Sequence, residues 1–470
     1  MSGDGFTGRD RGPEPEVLAE WAAVASVSSD PARVRDVRRS AQWLVDALRG
    51  LGCPQAEVWE TQGLPAVYGC MPAADPAAPV LLVYSHHDVH AADPTEWRLG
   101  SPFVPVLRDG LLYGRGVSDA KGQVMCHLWG LRAHLAQRGP SGPAVTVKFL
   151  IEGEEEIGSV HLADLVSEHA GQLAADVVMV SDTMLWSLDR AAVCTAVRGS
   201  VTATLTVCGA RRGVHSGAVS GAAANAASEL CRLLGCLHDG AGRVTLPGFY
   251  DAVAEVRPAR RASFDALPFD SRTWLADTGT FTADGEAGYS VPERLWARPS
   301  AEVARVTAGR TDVPALGVIP AEASADLLLR LVPEQRADQV AEQLRGWLAR
   351  HRREGYAYRL EVSSTISDPY ETPPDDPALA ALARSVGRAY RSPVLTIGNG
   401  GAAPAAQLAR ACDAPVLFFG TGLPGDRWHG PDERASLDAL RLGVEVIAAF
   451  LAELPAGRRD AGAVAVPGGS

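Results

Sequence analysis

The sequence alternates short apolar segments of strand type with longer helical stretches, and this alternation limits the folds that the chain can adopt. The helical stretches include residues 123–138 and 435–454. Strands that alternate with helices form α/β layers around a largely parallel sheet. The sequence therefore predicts an α/β fold. The apolar runs of strand type are 80–85, 144–151, 176–181 and 415–420.

Residues 199–366 follow a different pattern, which predicts an inserted α+β domain. At 470 residues the chain is too long for one compact core. We therefore predict a first domain formed by 15–198 and 367–454, with disordered tails at 1–14 and 455–470. The inserted segment contains predicted strands at 200–208, 326–332 and 356–363 and predicted helices at 222–234 and 337–351.

Charge and hydropathy exclude several classes of protein. Acidic residues outnumber basic ones, 56 to 44, and no block of Lys and Arg is present, which argues against nucleic-acid binding. Residues 1–15 lack the apolar core of a signal peptide, and no apolar run is long enough to span a bilayer. We therefore expect a cytoplasmic protein with neither a nucleic-acid nor a membrane partner.

The eight cysteines are scattered along the chain and form no CxxC pair or zinc-finger spacing. They are expected to be buried residues of apolar character. Any metal must then be bound by histidines and carboxylates, which suits a catalytic rather than a structural site.

Polar motifs follow the predicted strands, at the sheet edge where open α/β folds bind their ligands. The motif SHHDVH at 85–90 places His86 and Asp88 two residues apart, so that they face the same side of an extended chain. His86 is a candidate metal ligand, and Asp88 is a candidate to orient its ring. A surface turn explains this stretch about as well when it is considered alone.

Two further motifs carry carboxylates. YGRGVSDAKG at 113–122 places Asp119 in a glycine-rich loop before a helix, where an isolated Asp is more often a helix cap than a metal ligand. IEGEEEIGS at 151–159 has four carboxylates within five residues at the end of a strand. Such a run is ordinarily a solvated loop, but neighbouring glutamates can also divide the roles of metal ligand and general base.

The last two motifs are Asp182, after an apolar run, and WHGPDE at 428–433, which contains His429 and Glu433. The order HxD, GRGxxDxKG, EGxEExGS, Asp and HxxxE is more specific than any single motif. It resembles the M20 metallopeptidase family of aminoacylases, carnosinases and related dipeptidases, from about Pro15 to Leu454. Further matches are RGS at 198–200, HSG at 215–217, GFYD at 248–251, RPS at 298–300, VIPAEA at 318–323 and RLVPEQ at 330–335.

The resemblance implies an amidohydrolase with two divalent metal ions. It implies Glu155 as the general base, because aligning EGEEEIGS with EGxEExGS leaves Glu154 at the variable position. Two cations about 3.5–4 Å apart can polarise an amide carbonyl and acidify a bridging water. Histidine and carboxylate ligands suit zinc, with cobalt or manganese as alternatives. The implied ligands are His86, Asp119 and Asp182 for one ion and Asp119, Glu156 and His429 for the other, with Asp119 as the bridge.

The resemblance also implies a zinc-peptidase-like catalytic domain with an inserted lid and dimerisation domain. In relatives the HSG histidine, here His215, reaches the active site of the other subunit of a homodimer and stabilises the oxyanion. A histidine at the mouth of a surface loop is the competing interpretation. Arg330 would bind a substrate carboxylate, since a guanidinium offers bidentate geometry. An outward-facing Arg on a half-exposed strand competes with that role.

The segment TIGNGGAAP at 396–404 departs from the carnosinase-like pattern, which has Arg, Glu and Ser where this chain has Gly398, Asn399 and Ala402. The backbone of Gly400 and Gly401 can still approach a ligand closely, so both are candidate substrate-binding residues. A cation and a hydroxyl that could contact substrate are nevertheless missing. Ala120 also stands where Asp or Asn usually follows the bridging Asp.

These features predict a dipeptidase or other exo-acting peptidase, which the GFYD insertion favours. An N-acyl amino acid deacylase, or an amidohydrolase acting on a specialised metabolite, is the alternative that the altered 396–404 segment favours. A catalytically silent dimeric binding protein is a third hypothesis. The presence of Glu155 and of all the implied ligands argues against it.

Overall fold

The structure is a computed structural model that describes residues 12–309 and 317–454. The predicted tails lie outside these ranges except for residues 12–14, which have no regular secondary structure. The chain forms two compact units. The first unit comprises Met1–Thr195, Thr372–Ile397 and Gln407–Ser470, and the second comprises Ala196–Glu371 and Gly398–Ala406. The predicted division had assigned residues 398–406 to the catalytic domain.

The helices and strands are numbered in chain order. The α-helices are α1 (Pro15–Ala22), α2 (Val34–Gly50), α3 (Lys121–Arg138), α4 (Leu162–Glu168), α5 (Ala170–Leu173), α6 (Ser216–Val219), α7 (Ala226–Leu234), α8 (Pro258–Asp265), α9 (Ser271–Thr278), α10 (Val291–Trp296), α11 (Ala337–His351), α12 (Pro377–Tyr390), α13 (Ala405–Cys412) and α14 (Leu437–Glu453). The strands are β1 (Gln55–Trp59), β2 (Ala66–Met71), β3 (Val80–His86), β4 (Val106–Arg108), β5 (Leu111–Tyr113), β6 (Thr146–Glu152), β7 (Val177–Val180), β8 (Ala192–Val197), β9 (Gly199–Cys208), β10 (Val214–His215), β11 (Ser300–Ala308), β12 (Val318–Ile319), β13 (Glu322–Leu331), β14 (Ala357–Val362), β15 (Tyr370–Glu371), β16 (Leu395–Asn399), β17 (Val416–Phe418) and β18 (Arg434–Ser436).

The first unit is built on a mixed sheet whose central strands are parallel. Strands β6, β3, β7 and β17 are neighbours in that order and run parallel, whereas β1 and β2 are antiparallel additions next to β6. The prediction of a largely parallel sheet thus holds for its centre. Since the carboxyl ends of parallel strands meet at one edge, the segments that follow β3, β6 and β7 begin close together.

Two packed helices bring the remaining site segments to this sheet. Helix α3 is buried on every side from Lys121 to Leu131, as expected of a helix in the middle of a core. Helix α14 lies against it, and a side chain at Gly130 would meet Ile447 at 2.5 Å, so glycine is what allows this close approach. Helix α3 begins soon after Asp119, and α14 begins soon after Glu433.

The second unit contains an antiparallel sheet in the order β11-β13-β9-β14. Strand β13 alternates strictly, so its buried residues face the core while Arg330 lies on the opposite face. Helices α7 and α11 supply apolar side chains to the same core, which includes the buried Trp347. The predicted helix at 222–234 begins later, at Ala226, because the Asn225 side chain accepts the N–H groups of Ala227 and Ser228 as a cap.

Two sequence expectations concern cysteines and membranes. Half of the cysteines are buried as expected, but Cys231 is exposed on the outer face of α7 and three others are only partly buried. Within residues 12–309 and 317–454, every helix is too short or too polar to cross a bilayer.

Candidate metal centre

Asp119 lies between two histidines in the first unit. Its Oδ1 atom is 3.1 Å from His86 Nε2, and its Oδ2 atom is 3.0 Å from His429 Nε2. The N-cap of α3 is Ala120, with no side-chain capping bond, so the interpretation of Asp119 as a helix cap is wrong. Each carboxylate oxygen of Asp119 therefore faces a different imidazole.

The first ligand-like group combines His86, Asp119 and Asp182, whose donor atoms all lie within 4.8 Å of one another. Asp182 follows β7, and its Oδ1 atom is 3.8 Å from His86 Nε2. This oxygen is buried and has no hydrogen-bond partner among the described residues. A buried carboxylate oxygen without a partner is costly, and a cation at this position would remove that cost.

The second group combines Glu156, His429 and His90, again with donor atoms within 4.8 Å. Glu156 Oε2 is 3.1 Å from His429 Nε2. His90 donates its peptide N–H to Glu156 Oε1 at 3.0 Å, and its ring stacks on His429 with the centroids 4.5 Å apart. His90 was not singled out from the sequence, although it closes the SHHDVH motif.

Asp88 connects the two groups. His86 Nδ1 is 3.4 Å from Asp88 Oδ1 and 3.1 Å from the Asp88 carbonyl oxygen. The same carboxylate accepts the peptide N–H groups of Glu155 at 3.3 Å and of Glu156 at 3.1 Å. Asp88 thus holds the His86 ring and the turn after β6 together, a wider contact than the sequence predicted.

Two of the four glutamates in the motif IEGEEEIGS have partners away from His86 and His429. Glu152 accepts hydrogen bonds from the Tyr84 and Ser159 hydroxyls. Glu154 accepts the Leu64 N–H at 2.9 Å and lies 2.9 Å from His161 Nδ1. Both side chains therefore bond residues other than His86 and His429.

Glu155 has a different environment. Its partly buried carboxylate has no hydrogen bond or ion pair within the described part of the chain. Burial, followed by the nearby charge of Asp182, raises the pKa of Glu155 well above its usual range. A carboxylate that is near the other acids and has no partner is available to exchange protons.

The electrostatics of the cluster call for positive charge. Burial opposes a charge on His86, but the neighbouring carboxylates of Asp119, Asp182 and Asp88 raise its pKa well above the usual range. Hydrogen bonds to Asp119 and Glu156 raise the pKa of His429 to about 10. Each imidazole would therefore hold a proton unless another cation replaced it, and metal binding displaces such protons. Imidazole and carboxylate donors without a thiolate fit a divalent metal ion.

His215 lies in the second unit. It ends the short strand β10, which pairs with β12, and its side chain is exposed. Its Nδ1 atom accepts the Gly217 N–H at 3.2 Å. Arg330 lies on β13 with Ser200 of β9 and Ser300 of β11 directly opposite it.

Arg330 is half-buried, and within the described residues its side chain has no hydrogen bond or ion pair. Its neighbour Arg198 donates from Nε to the Gly400 carbonyl at 3.1 Å, and its N–H donates to the Gly401 carbonyl. Burial, together with the charge of Arg330, lowers the pKa of Arg198 to about 10. The Asn399 side chain accepts the Gly401 N–H at 2.8 Å. The guanidinium of Arg198 thus adjoins the Gly400-Gly401 segment and interacts electrostatically with that of Arg330.

Comparison with known proteins identifies the family. Residues 82–453 match the peptidase family M20/M25/M40. The chain belongs to this family. It is therefore a metallopeptidase, and the resemblance inferred from the sequence is confirmed.

Relatives and solved structures agree with this identification. The chain is 29% identical over 433 residues to a cysteinylglycine-S-conjugate dipeptidase of Corynebacterium striatum, covering 88% of this chain and 90% of the relative. It is 26% identical over 459 residues to the human Beta-Ala-His dipeptidase, covering 93% and 89%. The M20 family metallo-carboxypeptidase Sso-CP2 from Sulfolobus solfataricus superposes with a TM-score of 0.84 at 26% identity, over 94% of this chain and 99% of that one. Human carnosine dipeptidase 1 has a TM-score of 0.79 at 25% identity, over 93% and 95%. The predicted two-domain α/β fold is confirmed.

Replacing the residue between the two histidines tests whether the two groups form one dinuclear centre. We expect Asp119→Ala to lose both metal ions, because each ion would lose one of its carboxylate oxygens. Elemental analysis after dialysis measures the metal content per chain. Glu154→Gln is the matched control, since Glu154 is a carboxylate of the same site that bonds Leu64 and His161 instead. Retention of a full metal complement by Asp119→Ala would contradict the bridging role.

Proposed function

We propose that this enzyme hydrolyses the amide bond of a small peptide, as a dipeptidase does, at a dinuclear metal centre. The observation that carries the proposal is the position of Asp119, with one oxygen toward His86 and the other toward His429. Curated relatives named as dipeptidases, at 26–29% identity over most of the chain, support a small peptide as substrate.

The proposed ligands are the first group, together with Glu156 and His429 of the second group and with Asp119 as the shared carboxylate in place of His90. One ion would be held by His86, Asp119 and Asp182, and the other by Asp119, Glu156 and His429. Zinc is the proposed metal, since it commonly takes imidazole and carboxylate ligands in catalytic sites, and cobalt or manganese are the alternatives. When bound, such ions polarise the amide carbonyl and lower the pKa of water.

Glu155 is proposed to be the general base. Its carboxylate would accept a proton from the attacking water and later deliver that proton to the leaving amine nitrogen. The absence of a partner for Glu155 within the described residues leaves its oxygens available for this exchange. The Asp88 carboxylate would hold Glu155 in place by accepting the peptide N–H of Glu155. The same carboxylate would keep the His86 ring oriented.

Replacing Glu155 and Glu156 one at a time with glutamine distinguishes the proposed general base from the proposed metal ligand. Glu155→Gln should keep the metals while kcat falls by about 10² or more, because a positioned acid/base group contributes that much. Glu156→Gln should instead lower metal content, because an amide is a poorer ligand than a carboxylate. Metal analysis and dipeptide hydrolysis, measured on the same preparations, distinguish the two. If the phenotypes are exchanged, the assignment of the two glutamates is wrong.

Arg330 is proposed to bind the terminal carboxylate of the substrate, with Gly400 and Gly401 beside it. A half-buried guanidinium without a carboxylate partner, next to a second guanidinium at Arg198, supports a site for an anion. The serines opposite Arg330 are small enough to leave room for a ligand group.

Arg330→Met should therefore affect peptides with a free carboxylate selectively. Because a charge-assisted hydrogen bond contributes about 1.5–3 kcal/mol, kcat/KM for such a peptide should fall roughly 10- to 100-fold. The corresponding peptide amide should be hydrolysed slowly by both proteins, with little difference between them. Arg305→Met is the control, since Arg305 is an exposed arginine of the same sheet that pairs with Asp326 at 2.7 Å. Equal losses on both substrates would exclude this role.

Hydrolysis of an N-acyl amino acid or a specialised amide is the second candidate function. The observation that favours it is the contact between Gly398 and Trp296, where an added Cβ would lie 2.6 Å from the Trp296 Cβ. An indole therefore packs against the position at which carnosinase-like relatives have a cation. A panel of dipeptides and N-acyl amino acids, assayed with the metal-loaded protein, separates the two candidates.

We also propose a homodimer in which each active site uses His215 of the other subunit. A donor aimed at the developing oxyanion lowers the barrier, and its removal typically costs on the order of 10² to 10³ in turnover. An exposed imidazole on a short two-stranded sheet supports contact with another chain. We also propose a cytoplasmic location, on the basis of the composition.

Subunit mixing tests the shared site. Inactive Glu155→Gln chains and inactive His215→Ala chains should regain activity after subunit exchange, because one site of each heterodimer then contains both native residues. The ceiling of recovery is set by the fraction of heterodimer, which differently tagged chains measure. A fully active monomer, or no recovery in demonstrated heterodimers, would refute the proposal.

A further inference from the structure

Glu433 is a fully buried carboxylate, four residues after His429, that has no role in the chemistry proposed above. Its Oε1 atom accepts the peptide N–H groups of Gly116 at 3.0 Å, Ser118 at 3.0 Å and Asp119 at 3.1 Å. Its Oε2 atom accepts a hydrogen bond from Arg115 Nη1 at 2.7 Å. One side chain thus binds most of the loop that leads to Asp119.

The contacts of Glu433 compensate its buried charge. A buried carboxylate is tolerated when a cation and several donors surround it, and here a guanidinium and three amides do so. Removal of the carboxylate would leave those three amide groups without an acceptor inside the protein, which is costly. The backbone just before the Asp119 side chain is therefore held through this one group.

The main chain around Glu433 also forms hydrogen bonds with the loop that leads to Asp119. The Glu433 carbonyl accepts the Gly114 N–H at 2.9 Å, and Arg434 of β18 pairs with Tyr113 of β5. Arg115 Nη2 donates to the Gly430 carbonyl at 3.1 Å. His429 precedes Gly430 directly, so the segment that carries this histidine is tied to the segment that carries Asp119.

We propose that Glu433 is a positioning residue for the metal centre, which fixes Asp119 and His429 relative to each other so that one carboxylate can serve two ions. The inference rests on the proposed dinuclear centre. Glu433 would act on the metals only through the residues it holds. Loss of its contacts should therefore weaken metal binding without removing a ligand.

The adjacent Asp432 provides a matched control. It is also buried, and its Oδ1 atom accepts the N–H groups of Arg98 at 2.8 Å and Leu99 at 2.9 Å. Those donors belong to a loop that carries none of the proposed ligands. Asp432→Asn keeps an oxygen for them and should leave metal affinity unchanged, whatever small effect it has on stability.

The test compares the Zn²⁺ affinity of wild type, Glu433→Gln and Asp432→Asn by competition with a chelator. In Glu433→Gln the new amide NH₂ group faces other donors, Arg115 or the loop amides, so the loop cannot keep its position. Substitutions of residues that orient metal ligands typically weaken affinity about 10- to 100-fold, and we expect a loss of that size. Thermal unfolding of the metal-free proteins is measured in parallel.

Weaker Zn²⁺ binding by Glu433→Gln, in a metal-free protein as stable as Asp432→Asn, supports the positioning role. Unchanged affinity, or an equal loss in Asp432→Asn, overturns it. If Glu433→Gln does not fold, the double variant Arg115→Met/Glu433→Gln, which removes the opposing guanidinium, carries the same comparison. If the wild type binds Zn²⁺ but cleaves no peptide, the proposed substrate is contradicted. The comparison of Zn²⁺ affinities would still decide the role of Glu433.

Discussion

The mutual repulsion of carboxylates at one edge of the sheet is the constraint on which the rest of the site depends. The carboxylates of Asp88, Asp119, Glu156 and Asp182 are largely shielded from water and lie next to the buried His86 or the exposed His429. Like charges interact strongly where little water screens them. Such a cluster is stable only if each charge has a partner. Peptide N–H groups satisfy Asp88, whereas one oxygen of Asp182 has no partner within the described residues. A cation bound here would provide such a partner.

The fold produces this cluster from segments that are far apart in sequence. Parallel strands β3, β6 and β7 end at the same edge, so the segments after them converge without long connections. The Asp119 loop and the His429 segment are more than 300 residues apart, and they meet because α3 packs against α14 and because Glu433 bonds the loop directly. The packing of α3 against α14 therefore determines where the Asp119 loop and the His429 segment lie relative to each other.

The sequence was sufficient to predict the fold class and the family, and its motifs include most of the side chains that lie around Asp119, although His90 was not singled out. Motif order carried that prediction, since each motif alone had an ordinary explanation. The sequence could not separate the roles within EGEEEIGS by chemistry, because four glutamates look alike until their partners are known. Glu152 accepts a hydrogen bond from Tyr84 and Glu154 contacts His161, and neither partner belongs to this motif. The role of Glu433 was hidden for the same reason.

The boundary of the second unit shows a different limit of sequence reasoning. Residues 398–406 lie between segments of the first unit in sequence, yet they group with the second unit. Arg198 explains this grouping in part, since its side chain and its N–H bond the carbonyls of Gly400 and Gly401. The same side chain also lies close to the carbonyls of Arg294 and Arg298, on either side of Trp296.

The altered 396–404 segment is thus part of a connected structure rather than an isolated change. Trp296 packs where a side chain at position 398 would otherwise extend, so glycine at 398 and tryptophan at 296 depend on each other. Restoring a cation at 398 without changing Trp296 would create a clash with the indole. Positions 296 and 398, about 100 residues apart, therefore have to be considered together wherever this segment differs from the carnosinase-like pattern.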